Sequence, residues 1–206
     1  MAPLRILEFS ARTIEYLVAD RDAFVRNLDP SSSGPRVGGL GFAMIASACA
    51  AVDTYAYLLY DAPEDESGWR VKELMKSRFF DQTKYIEAGF FWDVIRCGVL
   101  HQLYPKHAEI VVIQSNLILY RRPEGTRHVP CLNALALYFD VIRGIKEIHK
   151  RLASDPIFAS DCQRRLTHRQ QQDEKIRWTW DLSRIPELPK PLSSPPPPPA
   201  STSSIR

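Results

Sequence analysis

A chain of 206 residues has room for one domain of ordinary size, or for two small ones. Apolar residues supply 45% of it and charged residues 25%, which allows a sizeable core and excludes a wholly disordered chain. Lys and Arg number 27 against 24 Asp and Glu, a formal charge of +3 that lacks the dense basic stripe of a dedicated nucleic-acid binder. The four cysteines (Cys49, Cys97, Cys131 and Cys162) form no CxxC pair, and no signal-peptide pattern opens the chain. A reducing, cytoplasmic compartment is therefore expected. The longest uncharged stretch, Val37 to Val52, holds 16 residues. That is short of the roughly 18 that a membrane span needs. Its Gly and Ala content fits a buried, closely packed helix, so a soluble protein with no membrane partner is expected.

In chain order, a first helix is expected from about Ser10 to Asn27, where Ile14, Leu17, Val18, Phe24 and Val25 recur at helical spacing. Asp29-Pro-Ser-Ser-Ser-Gly-Pro35 ends it. A second helix covers about Gly41 to Tyr60 and is closed by Asp61-Ala-Pro63, and a shorter one spans about Trp69 to Phe79. The fourth, about Thr83 to Leu103, carries Ile86, Phe90, Phe91, Val94, Ile95 and Val99 and stops before Pro105. Glu109-Ile-Val-Val-Ile-Gln114 and Leu117-Ile-Leu-Tyr-Arg121 are rich in strand-forming residues. With Ser115-Asn116 between them, they predict a hairpin with a two-residue turn. Helix resumes from about Leu132 to Leu152 and again from about Asp155 to Gln171, after which Trp178 and Trp180 are expected to pin the chain to the body.

Eight of the 16 prolines fall between Pro186 and Arg206, among Ser and Thr. Such a segment has too little apolar surface to fold and is read as a solvated tail, rather than as a proline-rich ligand for an aromatic groove. The expected architecture is mainly α: a helical domain over residues 1–182 with one inserted hairpin, then a disordered Pro/Ser-rich tail over 183–206.

Three groups of residues invite a chemical reading. Gly38-Gly39-Leu40-Gly41 suggests a nucleotide loop, but no strand precedes it, Met44 replaces the third glycine of the fingerprint, and no Gly-Lys-Ser/Thr follows. Cys97, His101, His128 and Cys131 could in number and type supply a tetrahedral zinc site, without the tight spacing of a zinc knuckle. The strongest group lies in Phe91-Trp-Asp-Val-Ile-Arg-Cys-Gly-Val-Leu-His-Gln-Leu-Tyr-Pro-Lys106. On a regular helix at about 100° per residue, Asp93, Cys97 and His101 share one stripe, with Arg96 beside Asp93. Arg96 and His101 then diverge by about 140° around Cys97. The plain alternative is an exposed face with an Asp93–Arg96 pair, worth a few tenths of a kcal/mol.

Arg96-Cys-Gly-Val-Leu-His101 resembles the Arg-x4-His motif of the HEPN superfamily, and the likeness extends over roughly Gly38 to Ile148. Within it lie a small-residue helix reaching Asp53, then Phe79-Phe80, Tyr85, the motif, and Tyr104-Pro105-Lys106 before a hairpin, a pattern similar to a bacterial branch of that superfamily. The resemblance implies a HEPN-like helical bundle and a metal-independent endoribonuclease of toxin or phage-defence type, with no cofactor. Single-stranded RNA would be cut to 2′,3′-cyclic phosphate and 5′-hydroxyl ends. Arg96 and His101 would be catalytic, the first gripping phosphoryl oxygens and the second relaying protons. Asp93, Cys97 and Lys106 would contact substrate. One motif brings one imidazole, so the resemblance also implies a homodimer through the Arg96–His101 face, and a toxin role implies a cognate antitoxin. Cys97 departs from the Asn, Asp or His that often follows the Arg, and a thiol is a weaker donor. The alternative is a catalytically inactive HEPN-like bundle that binds nucleotide, RNA or a protein partner in the same groove. Arg96→Ala and His101→Ala are both expected to leave the melting temperature nearly unchanged.

Overall fold

The computed structural model describes residues 5–26, 39–61, 66–81, 91–97, 108–113 and 115–177. Among these residues the fold is mainly helical with one small sheet. Helices α1 (Arg5–Arg26), α2 (Gly39–Leu59) and α3 (Ser67–Lys76) precede a π-helical turn, Phe91–Arg96. Strands β1 (Glu109–Val111), β2 (Leu119–Glu124) and β3 (Arg127–Asn133) follow, and helices α4 (Ala134–Ser154) and α5 (Pro156–Arg177) close the order. The chain divides into two units, residues 1–169 and 170–206. Of the second, the described residues are the end of α5. Trp178, Trp180 and the proline-rich tail lie outside the described residues, as does most of the helix expected over Thr83 to Leu103.

Helix α2 is central, and its sequence says why. Met44, Ile45, Ala48, Cys49, Val52, Tyr55, Ala56 and Leu58 are all buried and share one broad face of about half the helix circumference, while Ala43, Ala50 and Thr54 on the other side are exposed. Small residues permit close approach. A Cβ on Gly41 would stand 2.8 Å from Ile110 Cγ2 and 3.2 Å from Val112 Cγ2. This is the packing role of the glycine-rich entry to α2: the helix start presses on β1. By length and composition Gly41–Leu59 suffices to cross a membrane, more than the 16-residue uncharged stretch suggests. Half of that window is buried within the fold, and its one charge, Asp53, is ion-paired there. Here α2 serves as a core helix.

The flanking helices bury one face each. On α1, Ile6, Ser10 and Leu17 are buried, and the Tyr55 hydroxyl of α2 donates to Ser10 Oγ at 3.0 Å. The helix begins at Arg5, earlier than its apolar spacing indicates. Part of the reason is a long-range cap, since the Ile6 amide, which has no partner within the helix, donates to Gln163 Oε1 of α5 at 2.8 Å. On α4 a broad stripe from Ala134 to Leu152 enters the core, and Tyr138 meets Phe24 of α1 edge to face at 5.9 Å. Helix α5 opens on Pro156, whose missing amide suits that position, while Asp155 Oδ1 accepts from the Phe158 amide at 3.0 Å. Ala159, Cys162 and Leu166 then bring one side of α5 into the core.

The sheet differs from the expected hairpin. Its order is β1-β3-β2, with β3 parallel to β1 and antiparallel to β2. The two apolar runs are therefore not partners; each pairs with β3. The two-residue turn is Gly125-Thr126, where Gly125 has φ +58°, a region that favours glycine. Ser115-Asn116 instead belongs to a loop organised by Asn133, which is fully buried. Its Nδ2 donates to the carbonyls of Ile113 (3.2 Å) and Ser115 (3.1 Å), and its amide donates to the Ile118 carbonyl at 2.8 Å. Asn133→Leu would strand two carbonyls at once. A loss of about 2–3 kcal/mol in a urea unfolding curve is expected, and an unchanged midpoint would contradict this role.

Candidate active site

Of the expected site residues, Asp93 and Arg96 lie on the π-helical turn. Phe91 and Ile95 are buried and anchor it in the core, while Trp92 and Arg96 are half-buried and Asp93 is exposed. A π turn closes its hydrogen bonds five residues apart, so each residue rotates less than on an α-helix. Asp93 and Arg96, roughly 60° apart on a regular helix, are thereby splayed further. They take separate partners: Asp93 faces Lys72 of α3 at 3.8 Å, and Arg96 turns to Asp53 of α2. The local Asp93–Arg96 pair of the plain alternative does not form.

Arg96 is held on two sides. Its Nε and Nη2 both approach Asp53 Oδ2, at 3.0 and 2.9 Å. Its guanidinium lies 4.2 Å from the centre of the Trp92 ring, close enough for a cation–π contact worth about 1–2 kcal/mol when partly desolvated. Trp92 is itself set by Gly68 at the start of α3, where a Cβ would fall 2.8 Å from the indole. The side chains of Arg96 and Asp53 are only 17% and 25% exposed, so loss of either leaves a largely desolvated charge. Near-normal melting of Arg96→Ala is therefore no longer the expectation, because this arginine also braces α2 against the π turn.

Cys97 follows at the end of the turn and is half-buried. Cys49, one turn before Asp53 on α2, completes the group. Burial pushes its thiol up to about 12, the Asp53 carboxylate adds to the effect, and Arg96 opposes it. At neutral pH Cys49 is thus a protonated, inert thiol, not a nucleophile. Cys131 and Cys162 are buried as well. Brief alkylation of native protein should label Cys97 first and spare the other three until denaturant is added, as peptide mapping would show; early labelling of Cys49 would contradict the buried arrangement.

His101 and Lys106 lie outside the described residues. The zinc alternative loses its second pair on geometry. His128 and Cys131 are three apart on β3, and side chains an odd number apart on a strand point to opposite faces. Cys131 Sγ instead sits against the Val129 carbonyl (3.6 Å) and Glu109 (3.9 Å), beside the Glu109–Arg122 pair that bridges β1 and β2. Asp53 has a sequence signal of its own: it is the one charge on α2 and needs a partner if buried. Nothing in the sequence identifies Arg96, 43 residues on, as that partner. No family model matches the chain, and neither a curated protein nor a solved structure matches it.

Proposed function

We propose that this protein is a HEPN-like helical bundle acting in the cytoplasm as a metal-independent endoribonuclease on single-stranded RNA. The observation that carries the reading is the preset guanidinium of Arg96, held by Asp53 and Trp92 on a π-helical turn, a feature frequent at functional sites. The Arg96-x4-His101 spacing supplies the rest. In the proposed reaction the ribose 2′-oxygen forms a bond to the adjacent phosphorus while the bond from phosphorus to the 5′-oxygen breaks. The products are a 2′,3′-cyclic phosphate and a 5′-hydroxyl. Imidazole chemistry at His101 takes the 2′-proton, and a second His101 across a homodimer protonates the leaving oxygen. Arg96 stabilises charge on the phosphoryl oxygens, because a guanidinium fixed in advance needs little reorganisation as that charge grows. Asp93, Cys97 and Lys106 are proposed as substrate contacts, and a cognate antitoxin as a partner. The test is cleavage of labelled single-stranded RNA by the full chain beside His101→Ala.

A second reading is favoured by one specific observation: Asp53 already engages two donors of Arg96. A guanidinium committed in that way suits a catalytically silent bundle that binds nucleotide, RNA or a protein partner through the same groove. Binding of RNA without cleavage, lost in Arg96→Ala, would select it.

A further inference from the structure

Helix α3 lies against the candidate site along one face. A Cβ on Gly68 would fall 2.8 Å from Trp92 Nε1 and Cε2, and the same indole carries the Arg96 guanidinium 4.2 Å from its ring centre. One turn after Gly68, Lys72 Nζ stands 3.8 Å from Asp93 Oδ2 of the π turn. Trp69 borders this face, because residues three apart on a helix are neighbours and Lys72 is three residues on. Tryptophan is usually well buried, yet Trp69 is 45% exposed. Tyr60 meets it edge to face, at 6.1 Å and 87°. A contact of that kind covers at most one face of the indole.

An open aromatic face with an ammonium group on the next turn matches an unpaired nucleotide. The base offers a π face to the indole, and the phosphate offers oxygens to the ammonium. In a duplex the bases stack on one another and present no free face, so the match is to a single strand. An apolar peptide would use the indole and leave Lys72 idle. The Lys72–Asp93 pair is a weak competitor: it is long, and its side chains are 36% and 64% exposed, so water already screens it. We propose that the Trp69–Lys72 face of α3 binds a nucleotide of single-stranded RNA beside the phosphate held at Arg96, with the base on Trp69 and a phosphate on Lys72. The proposal rests on the nuclease reading for the phosphate at Arg96, and it adds two residues that lie outside the Arg-x4-His motif.

The deciding experiment is fluorescence anisotropy of a labelled 2′-O-methyl oligoribonucleotide with the full chain, over a range of salt concentrations. That strand lacks the attacking 2′-hydroxyl, so binding is read apart from cleavage. The expected result is saturable binding, weakened about fivefold or more in Trp69→Leu and kept within about twofold in Trp69→Phe. Leucine keeps apolar contact with Tyr60 but removes the π face, whereas phenylalanine keeps both. Lys72→Gln should weaken binding and reduce the slope of log affinity against log salt by about 0.7, the share of one phosphate on a single strand. The same sequence as a duplex should bind more weakly and be indifferent to Trp69→Leu. A chain that binds the strand through these two residues but leaves unmodified RNA intact would support this surface and contradict the nuclease reading. Absence of saturable binding, unchanged affinity in Trp69→Leu or in Lys72→Gln, Trp69→Phe no better than Trp69→Leu, or a duplex bound as tightly as the single strand would overturn the proposal.

Discussion

His101→Ala is expected to lower the rate of single-stranded RNA cleavage by about 10²–10⁴, the range removed with a general acid–base group. Arg96→Lys is expected to lose about 10²–10³, because it removes a preset donor from the developing charge. Lysine is the more informative replacement. It keeps a positive charge beside Asp53 but loses the planar fork that engages Asp53 and stacks on Trp92. Arg96→Ala would lower activity too, but part of that fall would come from a loosened fold. Initial rates on an end-labelled oligoribonucleotide, with melting curves of the same samples, separate the two causes. A His101→Ala protein that retains half of the wild-type rate would contradict the assigned role.

An effect on stability as large as that at Asn133 is expected at Asp53. Removing one member of a fully buried ion pair costs about 3–5 kcal/mol. Here the partners are 17% and 25% exposed, so solvent relieves part of the penalty, and about 2–3 kcal/mol is expected for Asp53→Ala. In a domain of this size that lowers the melting temperature by roughly 5–10 °C. Removing both charges should cost less than the two single changes together, since the double variant leaves neither one stranded. Urea unfolding of Asp53→Ala, Arg96→Ala and the double variant forms the cycle that measures this. Strictly additive losses would mean that the pair is incidental to the contact between α2 and the π turn.

How much of the fold is legible in the sequence depends on how far apart the causes lie. The cores of α1 to α5 follow from apolar residues at helical spacing, a local property, and for α5 the boundary at Asp155-Pro156 is legible too. The sheet is misread from sequence because its shared strand does not look like one. Arg127-His-Val-Pro-Cys131 contains charges and a proline, whereas the apolar runs before it advertise themselves. The register shows why Pro130 is tolerated: β1 pairs with β3 only from Cys131 onward, so Pro130 has a neighbour on one side alone. The Arg96 site is half legible. Its residue types and spacing stand out, but the stripe geometry assumes 100° per residue, and the π turn changes that angle. The ion pair to Asp53 is a tertiary event that no local pattern encodes.

If the chain cuts RNA with an arginine and a histidine as proposed, the ends of the products carry the signature. Purified full-length protein should be incubated with a 5′-labelled single-stranded RNA in excess EDTA, and the fragments resolved beside a cyclic-phosphate standard. The expected result is cleavage undiminished by the chelator, 2′,3′-cyclic phosphate and 5′-hydroxyl ends, and loss of both products in His101→Ala. Intact RNA, cleavage that requires a divalent cation, or products that persist without His101 would contradict it.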